Sequence, residues 1–285
     1  MKLPLFVAEL SANHLGNLTR ALDLVHAAAS AGANAVKFQT FTPEQMVAPG
    51  KMIEVGPWAG REALELYREA HTPREWHEPL FAAARGRGML AFSSVFHPDD
   101  VAFLEGLRCP IYKIASFELT DLALIQCAAR TGKPMIISTG MGTHDEIQEA
   151  ATVAGDAGCT DLTLLKCSSA YPAPPGEINL RAMQYLSTFP RCNAVGFSDH
   201  TMGSACAIAA TALGAQVIEK HLTLSRSDGG LDAAFSAEPG EFAAMVADCR
   251  QAAAATGDVI WGPSQSEEAS RRLRRPTGGF RGAIT

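Results

Sequence analysis

The sequence pairs none of its cysteines. Cys109, Cys127, Cys159, Cys167, Cys192, Cys206 and Cys249 are odd in number and form no CxxC. Several lie in apolar helical or strand contexts, where a thiol behaves as a small hydrophobe. Neither a disulfide framework nor a zinc ribbon is expected, and a reducing compartment is. The opening run MKLPLFVAELSANH lacks the apolar core of a signal peptide. No apolar run reaches membrane-spanning length. A soluble, cytoplasmic protein with no membrane partner is therefore expected. An excess of basic residues is also missing: the net charge is -6, with both signs interspersed. That argues against nucleic acid as a partner, which demands a basic face. The one basic cluster, Arg271, Arg272, Arg274 and Arg275, reads as a solvated tail or linker. No Pro/Gly/Ser-rich linker splits the 285 residues.

What the chain does have is a rhythm. Short runs rich in Val, Ile and Phe alternate with longer Ala-rich stretches of helical period. Strands are predicted near 4–10, 34–39, 89–94, 111–116, 134–139, 161–167, 193–198 and 215–222. Helices are predicted near 17–31, 73–87, 98–106, 121–131, 143–157, 178–188, 203–213 and 239–255. Asn17 and Thr143 are placed as N-caps, and Gly32, Gly88, Gly132, Gly158 and Gly214 fall where a helix-ending glycine is expected. Eight strand–helix units predict an α/β fold, the (β/α)8 TIM barrel. The competitor is a doubly wound open sheet, but SANHLGN follows the first strand in place of a GxGxxG loop. Residues 45–72 form one long insertion with a short helix around 61–70, expected to lie over the catalytic face.

Polar residues gather at the C-terminal end of every predicted strand, where barrel enzymes assemble their sites. They are Glu9; Lys37 and Gln39; Ser93 and Ser94; Lys113, Ser116 and Glu118; Ser138 and Thr139; Lys166, Ser168, Ser169 and Tyr171; Ser198, Asp199 and His200; and Glu219, Lys220 and His221. Any one of these alone reads more readily as a satisfied structural residue. Converging Lys37, Lys113 and Lys166 suit an anionic substrate better than Schiff-base chemistry, which needs a single desolvated amine. His200 and His221 end neighbouring strands about 5 Å apart. Two imidazoles there either share a metal ion, with Mn²⁺ the best match and Mg²⁺ or Zn²⁺ as alternatives, or bond to backbone and carboxylate. Asp232, in the glycine-bearing acidic loop after the last strand, reads by default as a turn residue and, from its place on the rim, as a substrate contact.

The colinear segments AELSANHLGN, VKFQT, YKIAS, STGM, KCSSAYPAP, GFSDHTMG and VIEKHLTL resemble the sialic acid synthases, over residues 3–250. RSDGGLDAAFSAEP and SSAYPAPP lie closer to that family's pseudaminic acid branch. The resemblance implies a metal-dependent barrel enzyme that condenses phosphoenolpyruvate with an N-acetylated amino-sugar aldehyde, giving a nine-carbon 2-keto sugar acid and phosphate. It makes His200 and His221 the metal ligands and Glu9, Glu118, Lys113, Tyr171 and Asp232 the catalytic candidates. Lys37, Gln39, Ser94, Ser116, Ser138, Lys166, Ser169 and Asp199 make up the substrate-binding set. Ser169 stands where neuraminate-type members tend to have Asn, which counts against N-acetylmannosamine. The family usually continues into a small antifreeze-like domain that carries an arginine to a partner subunit's site. Here RRLRRPTGGFRGAIT falls where the linker to it would begin. Residues 1–262 are thus read as the catalytic barrel without that domain, residues 263–285 as a tail or truncated linker, and a homodimer as the implied assembly. The alternatives are another phosphoenolpyruvate-condensing sugar synthase, a Schiff-base aldolase and a non-catalytic sugar-binding barrel.

Overall fold

The computed structural model describes residues 3–271, 273 and 274. Eight parallel strands pair in sequence order: β1 (Leu5–Glu9), β2 (Ala35–Thr40), β3 (Leu90–Val95), β4 (Tyr112–Ile114), β5 (Met135–Ser138), β6 (Leu162–Cys167), β7 (Cys192–Asp199) and β8 (Val217–His221). β8 returns to β1 in the register Leu5↔Val217 to Glu9↔His221 and closes the barrel. The helices α1 (Leu18–Ser30), α2 (Pro43–Met46), α3 (Ala63–Ala70), α4 (Arg74–Gly86), α5 (Pro98–Gly106), α6 (Leu122–Ala129), α7 (His144–Asp156), α8 (Arg181–Leu186), α9 (Ala205–Ala212) and α10 (Pro239–Thr256) fill the crossovers and the end of the chain. All eight expected strands form.

The local signals hold where the chemistry is local. Asn17 accepts the Arg20 N–H at 3.1 Å and Thr143 that of Glu146 at 3.3 Å, each satisfying a first-turn donor. Gly32 ends α1 at φ +87°, and a Cβ there would stand 3.3 Å from Val246 of α10, so close packing and backbone both call for glycine. The differences sit at strand and helix ends. β4 stops at Ile114 rather than 116, because Ser116–Glu118 turn into a 3-10 helix. α8 starts at Arg181 rather than 178, after a 3-10 turn at Pro175–Glu177 and a left-handed Asn179 at φ +52°.

The pleat sorts each strand into two faces. On β2, Lys37 reaches carboxylates of β1 and β8. Thr40, of opposite parity, bonds His77 of α4 at 2.8 Å and Ser93 of β3 at 2.6 Å. His77 is thereby a structural histidine, bonded to Thr40 and to the Pro73 carbonyl. The core between strands and helices is apolar, with Phe6, Leu24, Phe81, Phe92, Phe197 and Phe242 almost fully buried. Of the basic cluster, Arg271 and Arg274 are exposed, while Arg272 and Arg275 lie outside the described residues.

Candidate active site

The strand ends meet in a buried ionic network. Lys37 Nζ lies 2.7 Å from Glu9 Oε2 and 2.9 Å from Glu219 Oε1, with all three side chains buried. Glu219 also accepts from Ser198 Oγ at 2.9 Å. Glu9 accepts from the N–H and hydroxyl of Ser11, to which Gln39 donates in turn at 3.0 Å. Burial, aided by nearby Lys113, lowers the Lys37 ammonium to about 8, against the pull of Glu219. Burial would raise the Glu219 carboxyl, but Lys37 and Lys113 outweigh it and hold the group low. Two carboxylates thus more than balance one ammonium, which leaves Lys37 little charge to offer a ligand.

Two further ammonium groups stand on β4 and β6 without an ion-pair partner among the described residues. Lys113 Nζ donates to Ser138 Oγ at 2.7 Å and to the Ile114 carbonyl at 3.0 Å; Lys166 Nζ donates to the Cys167 carbonyl at 2.9 Å. Among the described residues, no carboxylate lies within salt-bridge distance of either lysine. Beside them, the Gly140 N–H donates to Ser116 Oγ at 3.1 Å. A Cβ at Gly140 would fall 2.5 Å from Ser169 Oγ and 2.7 Å from Ser116 Oγ, so only glycine lets these hydroxyls converge. Ser169 Oγ is buried without a partner. Ser94 is buried on β3, in register with Gln39 and Lys113. Two ammonium groups, four serine hydroxyls and a backbone amide are donor chemistry that suits an anion.

Glu118 stands past β4 on the 3-10 turn, half-buried, with Oε2 unpartnered. Burial lifts its carboxyl to about 7 against the pull of Lys113. A carboxyl with that value can give or take a proton at neutral pH.

His200 and His221 face each other with ring centroids 5.3 Å apart. His200 Nδ1 lies 2.7 Å from the Ser168 carbonyl. A carbonyl only accepts, so Nδ1 carries the hydrogen and Nε2 is the nitrogen that could meet a metal. Burial would lower the pKa of this ring, but Cys167 and the Ser168 carbonyl outweigh it and raise the value. Burial, with His200 and Lys37 nearby, keeps His221 neutral, and its Nδ1 is buried without a hydrogen-bond partner. Asp232 Oδ2 lies 3.8 Å from that nitrogen, with its carboxyl raised to about 6 by burial. Two facing imidazoles, one oriented by a carbonyl and one unpartnered, fit a divalent metal ion, whose charge would favour their neutral forms. Among the described residues no three His, Cys, Asp or Glu side chains form a ready-made metal cluster. Such an ion would have to complete its shell with water and substrate oxygens.

Over the histidines lies an aromatic wall. The Tyr171 ring stands 4.4 Å from His200 and 5.0 Å from Phe235, while Phe235 stands 5.1 Å from His221. Trp58, from the 45–72 insertion, lies 5.8 Å from Tyr171, and its indole N–H donates to the Leu231 carbonyl at 3.0 Å. The insertion therefore reaches the loop after β8, over the catalytic face as expected. Burial and the neighbouring charges of Cys167, Asp232 and Glu219 raise the Tyr171 phenol, so it stays a proton donor.

Most of the expected residues are thus brought together. Asp199 is not: Oδ2 pairs with Lys220 at 2.8 Å and Oδ1 accepts from the Thr201 N–H and hydroxyl. That pair lies behind the strands carrying His200 and His221. Ser11, the Ser168 carbonyl, Trp58 and Phe235 escaped sequence reasoning as site residues. Trp58 reads from sequence as a loop anchor, which its bond to Leu231 makes it, but its stacking on Tyr171 follows from the fold of the insertion.

Residues 24–260 match the NeuB family. The chain is 45% identical over 259 residues to a pseudaminic acid synthase of Helicobacter pylori, covering 90% of this chain and 76% of that one. It is 37% identical over 281 residues to an N,N'-diacetyllegionaminic acid synthase of Campylobacter jejuni, covering 96% and 84%. Among solved structures, an N-acetylneuraminic acid synthetase from Leptospira borgpetersenii superposes with a TM-score of 0.85 at 30% identity, over 96% of this chain and 92% of that one. A truncated 3-deoxy-D-arabino-heptulosonate 7-phosphate synthase from Thermotoga maritima, at 15% identity and a TM-score of 0.68 over 88% and 87%, shares the fold. With a family match across most of its length and a site at the barrel's C-terminal rim, this chain belongs to the NeuB family.

Proposed function

We propose that this chain condenses phosphoenolpyruvate with an N-acetylated amino-sugar aldehyde, giving a nine-carbon 2-keto sugar acid of the pseudaminic acid type and phosphate. The observation that carries the reading is the pairing of Lys113 and Lys166, neither of them ion-paired among the described residues, with two facing histidines at the same rim. The relatives at 45% and 42% identity, each named a pseudaminic acid synthase, support the branch.

Lys113, Ser116, Ser138 and the Gly140 amide hold the phosphate and carboxylate of the donor, with Lys166 beside them. Glu9, fixed by Lys37 and Ser11, faces the sugar, and Tyr171 donates to it. Carbon 3 of phosphoenolpyruvate forms the new bond to the aldehyde carbon, whose oxygen takes up a proton. Water adds at carbon 2 and gives up one proton; the bond from carbon 2 to the phosphate oxygen then breaks as the new hydroxyl passes its remaining proton to the departing phosphate, leaving the ketone. One proton enters and one leaves, and Glu118, lifted to about 7, carries one of them. A divalent ion held by His200 and His221, Mn²⁺ or Mg²⁺, would polarise the aldehyde. Gln39 and Ser94 line the donor side and Ser169 the junction with the sugar. Asp232 steadies His221. Asp199 acts through Lys220 and Thr201 rather than on substrate. No helix among the described residues is long and apolar enough to cross a membrane, and we place the enzyme in the cytoplasm as a homodimer.

The test is phosphate release from phosphoenolpyruvate with Mn²⁺ and a 2,4-diacetamido-2,4,6-trideoxyhexose, with N-acetylmannosamine in parallel. Release with the trideoxy sugar, lost on chelation and in His221→Ala, is expected. Metal-independent release, or wild-type rates from chelated His221→Ala, refutes the metal assignment. Borohydride trapping of a substrate on a lysine would move the chain to the Schiff-base class.

A further inference from the structure

The aromatic wall has no part in the bond-making steps, yet it borders the site where the aldehyde must lie. Trp58 and Tyr171 are both half-buried, each leaving part of its ring open, while Phe235 behind them is buried. Tyr171 and Phe235 touch the two histidines, and Trp58 packs on both at 5.8 and 6.2 Å. The indole nitrogen, the one polar atom of Trp58, is taken up by the Leu231 carbonyl. The surface it offers is therefore apolar carbon at the rim of a polar site. A sugar bearing only hydroxyls would lose hydration against such a face without gaining hydrogen bonds. A methyl group would gain by burial there.

Resting on the proposed condensation, we infer that Trp58 is a specificity-determining residue: with Tyr171 and Phe235 it forms an apolar subsite for methyl groups of the amino sugar beyond its aldehyde end. The methyl has two chemical sources that N-acetylmannosamine lacks, an acetamido group at carbon 4 or a deoxygenated carbon 6. The insertion that carries Trp58 thus selects the sugar, while the strand ends supply the chemistry. A pocket that loses contact with one methyl or methylene forfeits roughly 10- to 200-fold in kcat/KM, which sets the scale of the effect.

The experiment compares wild type, Trp58→Ala and Trp58→Phe in phosphate release with three sugars: N-acetylmannosamine, its 6-deoxy counterpart and a 2,4-diacetamido-2,4,6-trideoxyhexose. Trp58→Phe keeps an aromatic face and removes the indole N–H bond to Leu231; Trp58→Ala removes both. In Trp58→Ala, kcat/KM for the trideoxy sugar is expected to fall by about tenfold or more through KM. The KM of phosphoenolpyruvate stays within about twofold, and the preference over N-acetylmannosamine shrinks toward unity. Trp58→Phe is expected to keep most of that preference. The 6-deoxy sugar assigns the source: a preference for it in wild type that Trp58→Ala abolishes places the carbon-6 methyl on the wall, and equal rates with N-acetylmannosamine place the carbon-4 acetamido methyl there. Equal losses for all three sugars, or Trp58→Phe matching Trp58→Ala, would mean that Trp58 only latches the loop, and overturns the subsite. An unchanged preference in Trp58→Ala overturns it as well. If wild type releases no phosphate with any sugar, the condensation reading fails first. Tryptophan-fluorescence titration of wild type and Trp58→Phe with the trideoxy sugar then decides the subsite: quenching confined to wild type supports it, and no difference between the two overturns it.

Discussion

Glu118 carries its chemistry in a single number. Its carboxyl ordinarily titrates near 4.5, and burial lifts it to about 7 in the folded chain. The folded state therefore holds this proton more tightly than the unfolded state. Between those two values stability falls as pH rises, and above the folded value the cost is constant. Glu118→Gln removes the titration. At pH 8 the variant is expected to be more stable than wild type by about 2 kcal/mol, allowing for its half-exposed position. At pH 4.5 the two should match closely. Urea midpoints at both values decide it, and a pH-independent difference would show that the carboxyl is not held neutral. Residues at this scale were legible where their chain position alone implied a role. The lysines, serines and histidines at strand ends could be grouped from sequence because a barrel sends strand ends to one rim. Their charge balance was not legible. That Lys37 pairs with Glu9 and Glu219, while Lys113 and Lys166 have no paired carboxylate among the described residues, depends on closing β8 against β1.

At the scale of elements, β7 and β8 are tied twice, by backbone pairing from Gly196↔Val217 to Asp199↔Lys220 and by a buried ion pair at the last register position. The next residue of each chain, His200 and His221, is half of the histidine pair. Lys220 Nζ also donates to the Thr201 carbonyl, so one ammonium fixes the turn after β7 as well as its end. Lys220→Met would leave the Asp199 carboxylate buried and unpaired, and is expected to lose about 3–5 kcal/mol. The double variant Lys220→Met/Asp199→Asn should regain much of that loss, because it removes the orphaned charge along with its partner. Chemical denaturation of wild type and the single and double variants measures this; a double variant as unstable as Lys220→Met would mean that packing, not charge, is at stake. The strands themselves were readable from alternation and length, and the helix starts from Asn17 and Thr143. Element ends were less so, because a 3-10 turn such as Ser116–Glu118 satisfies its backbone locally and leaves no periodic trace. The wall contributed by the insertion was least legible of all. Trp58 meets Tyr171 across more than a hundred residues of chain, and only the closed barrel puts them side by side.

For the whole molecule the question is which residues the barrel needs. Closure joins β1 to β8, so the first strand cannot be completed until the last has folded. α10 then covers the seam, burying Phe242, Met245, Val246, Cys249 and Ala253 and setting Val246 against Gly32 behind α1. Burial of the three larger side chains alone is worth on the order of 6 kcal/mol, comparable to the net stability of an ordinary domain. Beyond Thr256 the described residues change character: 257–271, 273 and 274 are exposed, including Val259, Ile260 and Trp261. We propose that the cooperative unit ends near residue 262. A chain stopped after Gly262 is therefore expected to melt in one transition within a few degrees of the full sequence. A chain stopped after Ala237, which keeps every strand but loses α10, should show no cooperative transition. Thermal unfolding followed by circular dichroism compares the three. If the chain ending at Gly262 lost its transition, residues 263–285 would have to be counted as part of the barrel's stability rather than as an appendage to it.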